Sequence, residues 1–475
     1  MSTYHSTPVT AGSQRLSFPT GFLWGAATAA FQIEGSTEAD GRRASIWDTF
    51  SRRPGAIIGG DTGEPAADHY RRMPQDVALM AQLGLKSYRF SVSWPRIQPN
   101  GGRVNQAGLD FYRRLVDELL DHDIVPWLTL YHWDLPQALE DAGGWPARDT
   151  AYRFAEYADT VYAALGDRVP YWSTLNEPFC SALLGYASGE HAPGRSEPDA
   201  AVAAAHHLLL AHGLGVQAIR AQNAAAAVGV TLNFAPIEPL DLSDPADLDA
   251  ARRIDGLQNR LFIDPIFRGA YAPDVLADLA PYGLAGHIHD GDLELISAPL
   301  HFLGVNYYLG NTVSARPDPA SAPSTVLTPQ PPGSAWVGAE DVSFLRADRP
   351  VTGQDWEIFP EGLTHLLTWL GVEYPGVPLY VTENGSAFPD EVVDGEVRDL
   401  ERTEYLVGHL RAVHDAIEAG ADVRGYFVWS LLDNFEWAWG YGQRFGIVYV
   451  DFETQERIPK FSARRYAEII AANGL

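Results

Sequence analysis

Met73, Val77 and Met80 fall at helical spacing, and Leu79 and Leu83 widen the apolar stripe. Gly84 then ends the helix. From Ser87 to Trp94 the pattern switches to strict alternation. Tyr88, Phe90, Val92 and Trp94 share one face of a strand, and Ser87, Arg89, Ser91 and Ser93 share the other. The unit recurs: strand-like apolar segments begin near Phe22, Ser87, Val125, Tyr171, Val228, Phe302, Leu379 and Gly425. Eight β-then-α units predict an α/β protein with a (β/α)8 TIM-barrel fold. The barrel is expected as a single domain over residues 18–475, after an N-terminal tail of residues 1–17. Apolar strand faces then pack on helices while the other faces point inward. Arg89 becomes an interior guanidinium, costly unless paired, and it predicts a carboxylate inside the barrel.

Two connecting stretches stand out. The Ala-rich run from Ala200 to Ala226 reads as helix, with His206, His207 and His212 as packing or surface residues. Between Arg316 and Gly333 lie six prolines, within a long loop expected over 315–335. That loop follows the sixth strand, so it belongs to the barrel's C-terminal face, where such loops shape the mouth of a site.

Composition narrows the partners. With 46% hydrophobic and 20% charged residues the chain is ordinary globular protein, neither disordered nor fibrous. Thirty-four basic against 61 acidic residues give a net charge of −27, which argues against nucleic acid and anionic membranes, since both demand a positive face. The one cysteine, Cys180, precludes an intramolecular disulfide, and with only Lys86 and Lys460 a Schiff-base lysine is disfavoured. The first residues show no basic segment followed by an apolar stretch, and no run of about 18 apolar residues occurs, so a cytoplasmic protein is expected. No HExxH, CxxC or Gly-rich phosphate loop appears; neither metal nor cofactor is expected. Assembly into a homo-oligomer stays open.

In this fold the chemistry lies where strands end. The first strand leads to Gln32, the second carries Arg89, the third ends at His132 and the fourth at Asn176-Glu177-Pro178. The sixth ends at Asn306-Tyr307-Tyr308, the seventh at Glu383-Asn384, and the eighth runs through Trp429 toward Glu436-Trp437. Two glutamates among amides, a histidine and tryptophans outline a sugar site. Amides and carboxylates chelate vicinal hydroxyls, aromatic faces stack on a pyranose, and paired carboxylates are what glycosidic cleavage requires. Glutamates ending the fourth and seventh strands can approach to the ~5–5.5 Å expected for retention of configuration.

The segments FLWGAATAAFQIEG, YRFSVSWPRI, YHWDLP, TLNEP, LGVNYY, VTENG and WSLLDNFEWAWGYGQRFGIVYVD follow one another in order. With them the chain resembles glycoside hydrolase family 1, the β-glucosidase family, over roughly Phe18 to Phe461. The resemblance implies Glu177 as acid/base and Glu383 as nucleophile, with Arg89 and Tyr308 as the nucleophile's hydrogen-bond partners and Asn306 nearby. It implies Gln32, His132, Asn176, Glu436 and Trp437 as ligands of the sugar hydroxyls, Trp429 as the platform under the ring, and a cis peptide between Trp429 and Ser430. Glu383 beside Arg89 is expected to be held ionised, and Glu177 protonated.

The implied activity is that of a retaining β-glucosidase on β-glucosides or cello-oligosaccharides. Broad β-galactosidase or β-fucosidase action and transglycosylation are the alternatives on the same residues, and a non-catalytic glycan-binding protein is the rival class. A carboxylate at Glu436 would repel a phosphate, so an unphosphorylated glycone is expected. Trp356, Phe179, Cys180, Leu184 and Phe445 are candidates for the entrance, with Trp356 and Phe445 preferred.

Overall fold

The structure, a computed structural model, describes residues 16–318 and 332–475. Residues 1–15 of the expected tail and 319–331 of the proline-rich loop lie outside the described residues. Eight parallel strands close into a barrel: β1 (Leu23–Ala27), β2 (Ser87–Ser91), β3 (Val125–Tyr131), β4 (Tyr171–Asn176), β5 (Ala227–Asn233), β6 (Phe302–Asn306), β7 (Leu379–Asn384) and β8 (Val423–Trp429). Each pairs with its sequence neighbours, and β8 closes on β1 with Ala27 opposite Trp429. The observed starts fall within two residues of those read from the pattern.

The helices following the strands include α1 (His69–Gln82), α2 (Gln106–Asp121), α3 (Asp149–Leu165) and α4 (Pro198–Gln222). Farther along are α5 (Pro360–Glu373), α6 (Leu400–Glu418) and α7 (Phe461–Ala472). Helix α4 is long and apolar enough to cross a membrane by composition, but 83% of its apolar window is buried inside the protein. His206, His207 and His212 on its inner side are buried, and His206 bridges Tyr271 and Asp292 at 2.9 and 3.0 Å, as packing residues do.

One boundary differs from the alternation. Strand β2 ends at Ser91, and Trp94–Ile97 forms a helical turn. Pro95, near the start of that turn, has no N–H to give a ladder, while its fixed φ suits a helix start. Trp94 instead stacks on Tyr157 of α3, with centroids 4.7 Å apart.

Aromatic side chains plug the barrel's lower end. Trp127 stacks on Tyr171 at 4.6 Å and meets Phe302, Tyr380 and Phe427 edge-on. Gly25 on β1 admits the Phe427 ring, because a Cβ there would collide with it. The plug leaves the C-terminal end of the barrel as the place for a cavity.

Candidate active site

A cavity of about 130 Å³ opens at the C-terminal ends of the strands. Its lining brings together His132, Glu177, Asn306, Tyr308, Glu383, Trp429, Glu436 and Trp437, with Trp356 and Phe445. Arg89, Asn176 and Gln32 are buried behind that surface and act on it through hydrogen bonds.

Strand alternation turns Arg89 inward, and the carboxylate it required is Glu383. Arg89 Nη1 donates to Glu383 Oε1 at 2.6 Å, and both side chains are almost fully buried. The Tyr308 hydroxyl donates to Glu383 Oε2 at 2.8 Å. Arg89 Nη2 donates to Asn176 Oδ1 at 2.6 Å. Asn306 Nδ2 donates to the same oxygen at 3.0 Å and to Glu177 Oε1 at 2.6 Å. Asn306 thus serves the acid/base candidate directly as well as standing among the groups that hold Glu383.

This network also fixes a tautomer. With Asn176 Oδ1 accepting twice, its Nδ2 faces His132 Nε2 at 3.0 Å, which places the ring hydrogen on Nδ1. His132 is neutral, because burial and then Arg89 push its pKa well below 6.5. The Nδ1 atom is buried without a partner, and so is Gln32 Oε1. Gln32 Nε2 is fully engaged, donating to Asn434 Oδ1, the Phe435 carbonyl and Glu436 Oε2 at 3.0, 2.9 and 3.3 Å. One donor and one acceptor thus stand without protein partners, which suits hydroxyl groups, since each hydroxyl both donates and accepts. Gln32 sits on a helical turn, Ala30–Ile33, just past β1 rather than on the strand itself.

The two central glutamates occupy unequal environments. Glu177 carries φ +47°, a strained setting for a non-glycine residue, and directs its carboxyl into the cavity. Burial, followed by the charge of Glu383, pushes Glu177 up to about 8. Its Oε2 accepts from the Cys180 thiol at 3.2 Å. Burial raises Glu383 as well, against the ion pair with Arg89 and the hydrogen bonds from Arg89, Tyr308 and Asn306. Desolvation in the closed cavity thus opposes the Arg89 and Tyr308 contacts on which the expectation of an ionised Glu383 rests. Of the two, only Glu383 bonds a guanidinium, so it holds the charge and Glu177 holds the proton. Burial, followed by Glu383, also pushes Glu436 up to about 8.

The aromatic frame is tight. Trp429 lies face-on to His132 at 5.7 Å, and its peptide bond to Ser430 is cis. Trp437 packs on Trp133 and Trp47 at 4.5 and 4.6 Å. Trp356 and Phe445 face each other at 6.0 Å, and both contact Tyr308. Of the other entrance candidates, Cys180 and Leu184 line the cavity. Phe179 does not: it is buried against Trp336 and Phe262, because the chain turns it to the outer side after Pro178.

Sequence reasoning missed Trp133, His191, Gln354 and Trp439 in the lining. Trp133, at φ +77°, donates its indole N–H to the Asn176 carbonyl at 2.9 Å. His191 has no partner on either ring nitrogen, and burial pushes it down to about 3. Trp133 and Trp439 stand inside quoted motifs and had a signal; His191 and Gln354 do not stand at strand ends.

Comparison with known proteins agrees with this geometry. The chain matches the model "Glycosyl hydrolase family 1" over residues 14–475. It is 52% identical over 463 residues to a thermostable β-glucosidase B from Thermobispora bispora, covering 97% of this chain and 92% of that one. A psychrophilic β-glucosidase from Micrococcus antarcticus superposes with a TM-score of 0.95 at 54% identity, covering 97% of this chain and 99% of that one. A Thermotoga maritima β-glucosidase in complex with deoxynojirimycin superposes with a TM-score of 0.90 at 45% identity, over 97% of this chain and 100% of that one. With the barrel, the paired glutamates and these relatives together, the chain belongs to glycosyl hydrolase family 1.

Proposed function

We propose that this protein is a retaining β-glucosidase that releases terminal β-D-glucose from the non-reducing end of β-glucosides or cello-oligosaccharides. The observation that carries this reading is the inequality of two buried carboxyls in one cavity: Glu383 on a guanidinium, Glu177 on neutral donors.

The chemistry follows from that inequality. A β-glucoside enters with its ring on Trp429 and its hydroxyls toward Gln32, His132, Glu436 and Trp437. Glu177 protonates the glycosidic oxygen while Glu383 attacks the anomeric carbon, and the bond to the leaving group breaks as the glycosyl-enzyme ester forms. Esterification removes the charge of Glu383, so the affinity of Glu177 for its proton falls. Glu177 then takes a proton from water as water attacks the anomeric carbon and Glu383 leaves. Two inversions give net retention. Arg89 and Tyr308 hold the nucleophile's oxygens throughout.

An unphosphorylated glycone fits the lining. Among the described residues, those lining the cavity include three glutamates and no lysine or arginine. A phosphate on the sugar would meet carboxyls with no cation to receive it.

The test is initial rates on p-nitrophenyl β-D-glucoside, the matching β-galactoside and the 6-phospho-β-glucoside, with the first-formed anomer followed by NMR. Release of β-glucose from the unphosphorylated glucoside supports the reading. Release of α-glucose would overturn the double displacement, and a preference for the phosphorylated sugar would overturn the role given to Glu436. Folded protein silent on all three substrates would favour a glycan-binding role.

A further inference from the structure

Strand β7 carries one residue more than β6 beside it. Val381 stands opposite Val305 and Glu383 opposite Asn306, so Thr382 has no counterpart. Regular alternation would send Thr382 to the outer face if Glu383 points inward. A bulge re-aims the side chains around it. Here both residues reach the barrel interior: Thr382 is fully buried, and its hydroxyl donates to Asn306 Oδ1 at 2.8 Å. Gly304 on β6 leaves the room, since a Cβ there would lie 2.8 Å from Thr382 Oγ1 and 2.4 Å from Thr231 Oγ1.

That hydroxyl settles which way the Asn306 amide faces. Among the described residues it is the one donor to Asn306 Oδ1. The amide nitrogen donates to Asn176 Oδ1 at 3.0 Å and to Glu177 Oε1 at 2.6 Å. Without the hydroxyl a fully buried oxygen would be left bare, which is unfavourable. Turning the amide over would give that oxygen a new donor, the proton of Glu177 itself. The acid would then hold its proton against Asn306 rather than toward the glycosidic oxygen. Tilting the amide away would instead take a donor from the carboxylate form. Either change tightens Glu177 on its proton and weakens it as an acid. The charged or titratable groups that face Glu177 are Glu383, Glu436, Arg89, Tyr308 and the Cys180 thiol. The bond from the Thr382 hydroxyl goes to Asn306 and not to them.

We infer that Thr382 is a positioning residue for the acid/base: its hydroxyl holds the Asn306 amide with the nitrogen toward Glu177, so that the proton of Glu177 stays free for the leaving group. This rests on the glucosidase reading above.

The experiment compares the wild type with Thr382→Val, which keeps the shape and removes the hydroxyl, and Thr382→Ser, which keeps the hydroxyl. It measures kcat/KM against pH on n-octyl β-D-glucoside, whose alkoxide needs a proton to leave, and on 2,4-dinitrophenyl β-D-glucoside, whose phenolate does not. In Thr382→Val the octyl glucoside value should fall about tenfold, while the dinitrophenyl glucoside value stays within about threefold of wild type. The alkaline limb on octyl glucoside should move up by about half a pH unit. Thr382→Ser should behave as wild type. Thr382→Val added to Asn306→Ala should shift nothing further, because the hydroxyl acts through that amide. Equal losses on the two substrates, a limb that stays in place, or a serine variant as impaired as the valine one overturns the inference. If the valine variant does not fold, Thr382→Ala carries the same test. Wild-type enzyme inert on both substrates would instead sink the glucosidase reading itself.

Discussion

Asn306 donates its amide hydrogen to Glu177 at 2.6 Å, and it has no freedom to turn away. Thr382 Oγ1 donates to Asn306 Oδ1 at 2.8 Å, which fixes the amide with its nitrogen toward the carboxyls. The bond favours the charged form of Glu177 and opposes the rise caused by burial. With Glu177 at about 8, kcat/KM of the wild type should fall as pH rises through that value, because catalysis needs the proton in the free enzyme. Asn306→Ala removes a donor to the charged form, so the alkaline limb should move up by roughly one pH unit, alongside a lower kcat. A limb that stays in place in the folded variant would show that Asn306 does not tune Glu177.

Glu383→Gly should lose turnover by at least about four orders of magnitude while remaining folded. Formate or azide fits the space left by the carboxylate and should restore part of the rate. With azide the product should be the α-glucosyl azide, since attack comes from the face that Glu383 occupies. Absence of rescue in a folded variant would count against Glu383 as nucleophile.

Glu177 also shapes stability against pH. Its folded-state value, about 8, lies above the ordinary 4.5, so the folded protein binds the proton more tightly than the unfolded chain. The resulting contribution is complete below about 4.5 and lost as pH rises through 8. Glu177→Gln removes this dependence. The variant should therefore be more stable than wild type at pH 8.5 by about 1–2 kcal/mol, with the gap closing toward pH 5. Thermal unfolding at the two pH values reads this directly, and a gap that widens toward pH 5 would reverse the sign assigned to Glu177.

Lys460, one of only two lysines, is fully buried and bonds Asp390 at 2.5 Å and Asp433 at 2.7 Å. Asp433 lies in the loop between Trp429 and Glu436, so the ion cluster anchors two residues of the proposed sugar site. Lys460→Met leaves two buried carboxylates short of a cation. It should destabilise the protein by about 3–5 kcal/mol, measured by denaturant unfolding. A loss below about 1 kcal/mol would mean that Arg402 and Arg444 hold the carboxylates without it.

Much of this molecule was legible along the chain. The two-residue period of Ser87 to Ser91 placed Arg89 inside the barrel, and an interior guanidinium demanded the carboxylate that Glu383 supplies. Such inferences succeed because strand alternation and strand ends are local properties, and a (β/α)8 barrel converts strand ends into one site. Tertiary structure decided the remainder. Trp94 leaves the strand ahead of Pro95, and only the fold supplies Tyr157 as its stacking partner. Phe179 turns from the cavity because Trp336 and Phe262 receive it. Asn306 serves Glu177 because Thr382, on another strand, orients its amide. Burial raises Glu383 against its bonds from Arg89 and Tyr308, because the packed cavity takes water away from it. Gln354 lies in a loop with no periodic signal, and only the fold brings its unsatisfied amide to the nucleophile's side of the cavity. Each of these depends on which distant side chains exclude water from a given atom, and that is set by packing between elements far apart in the chain.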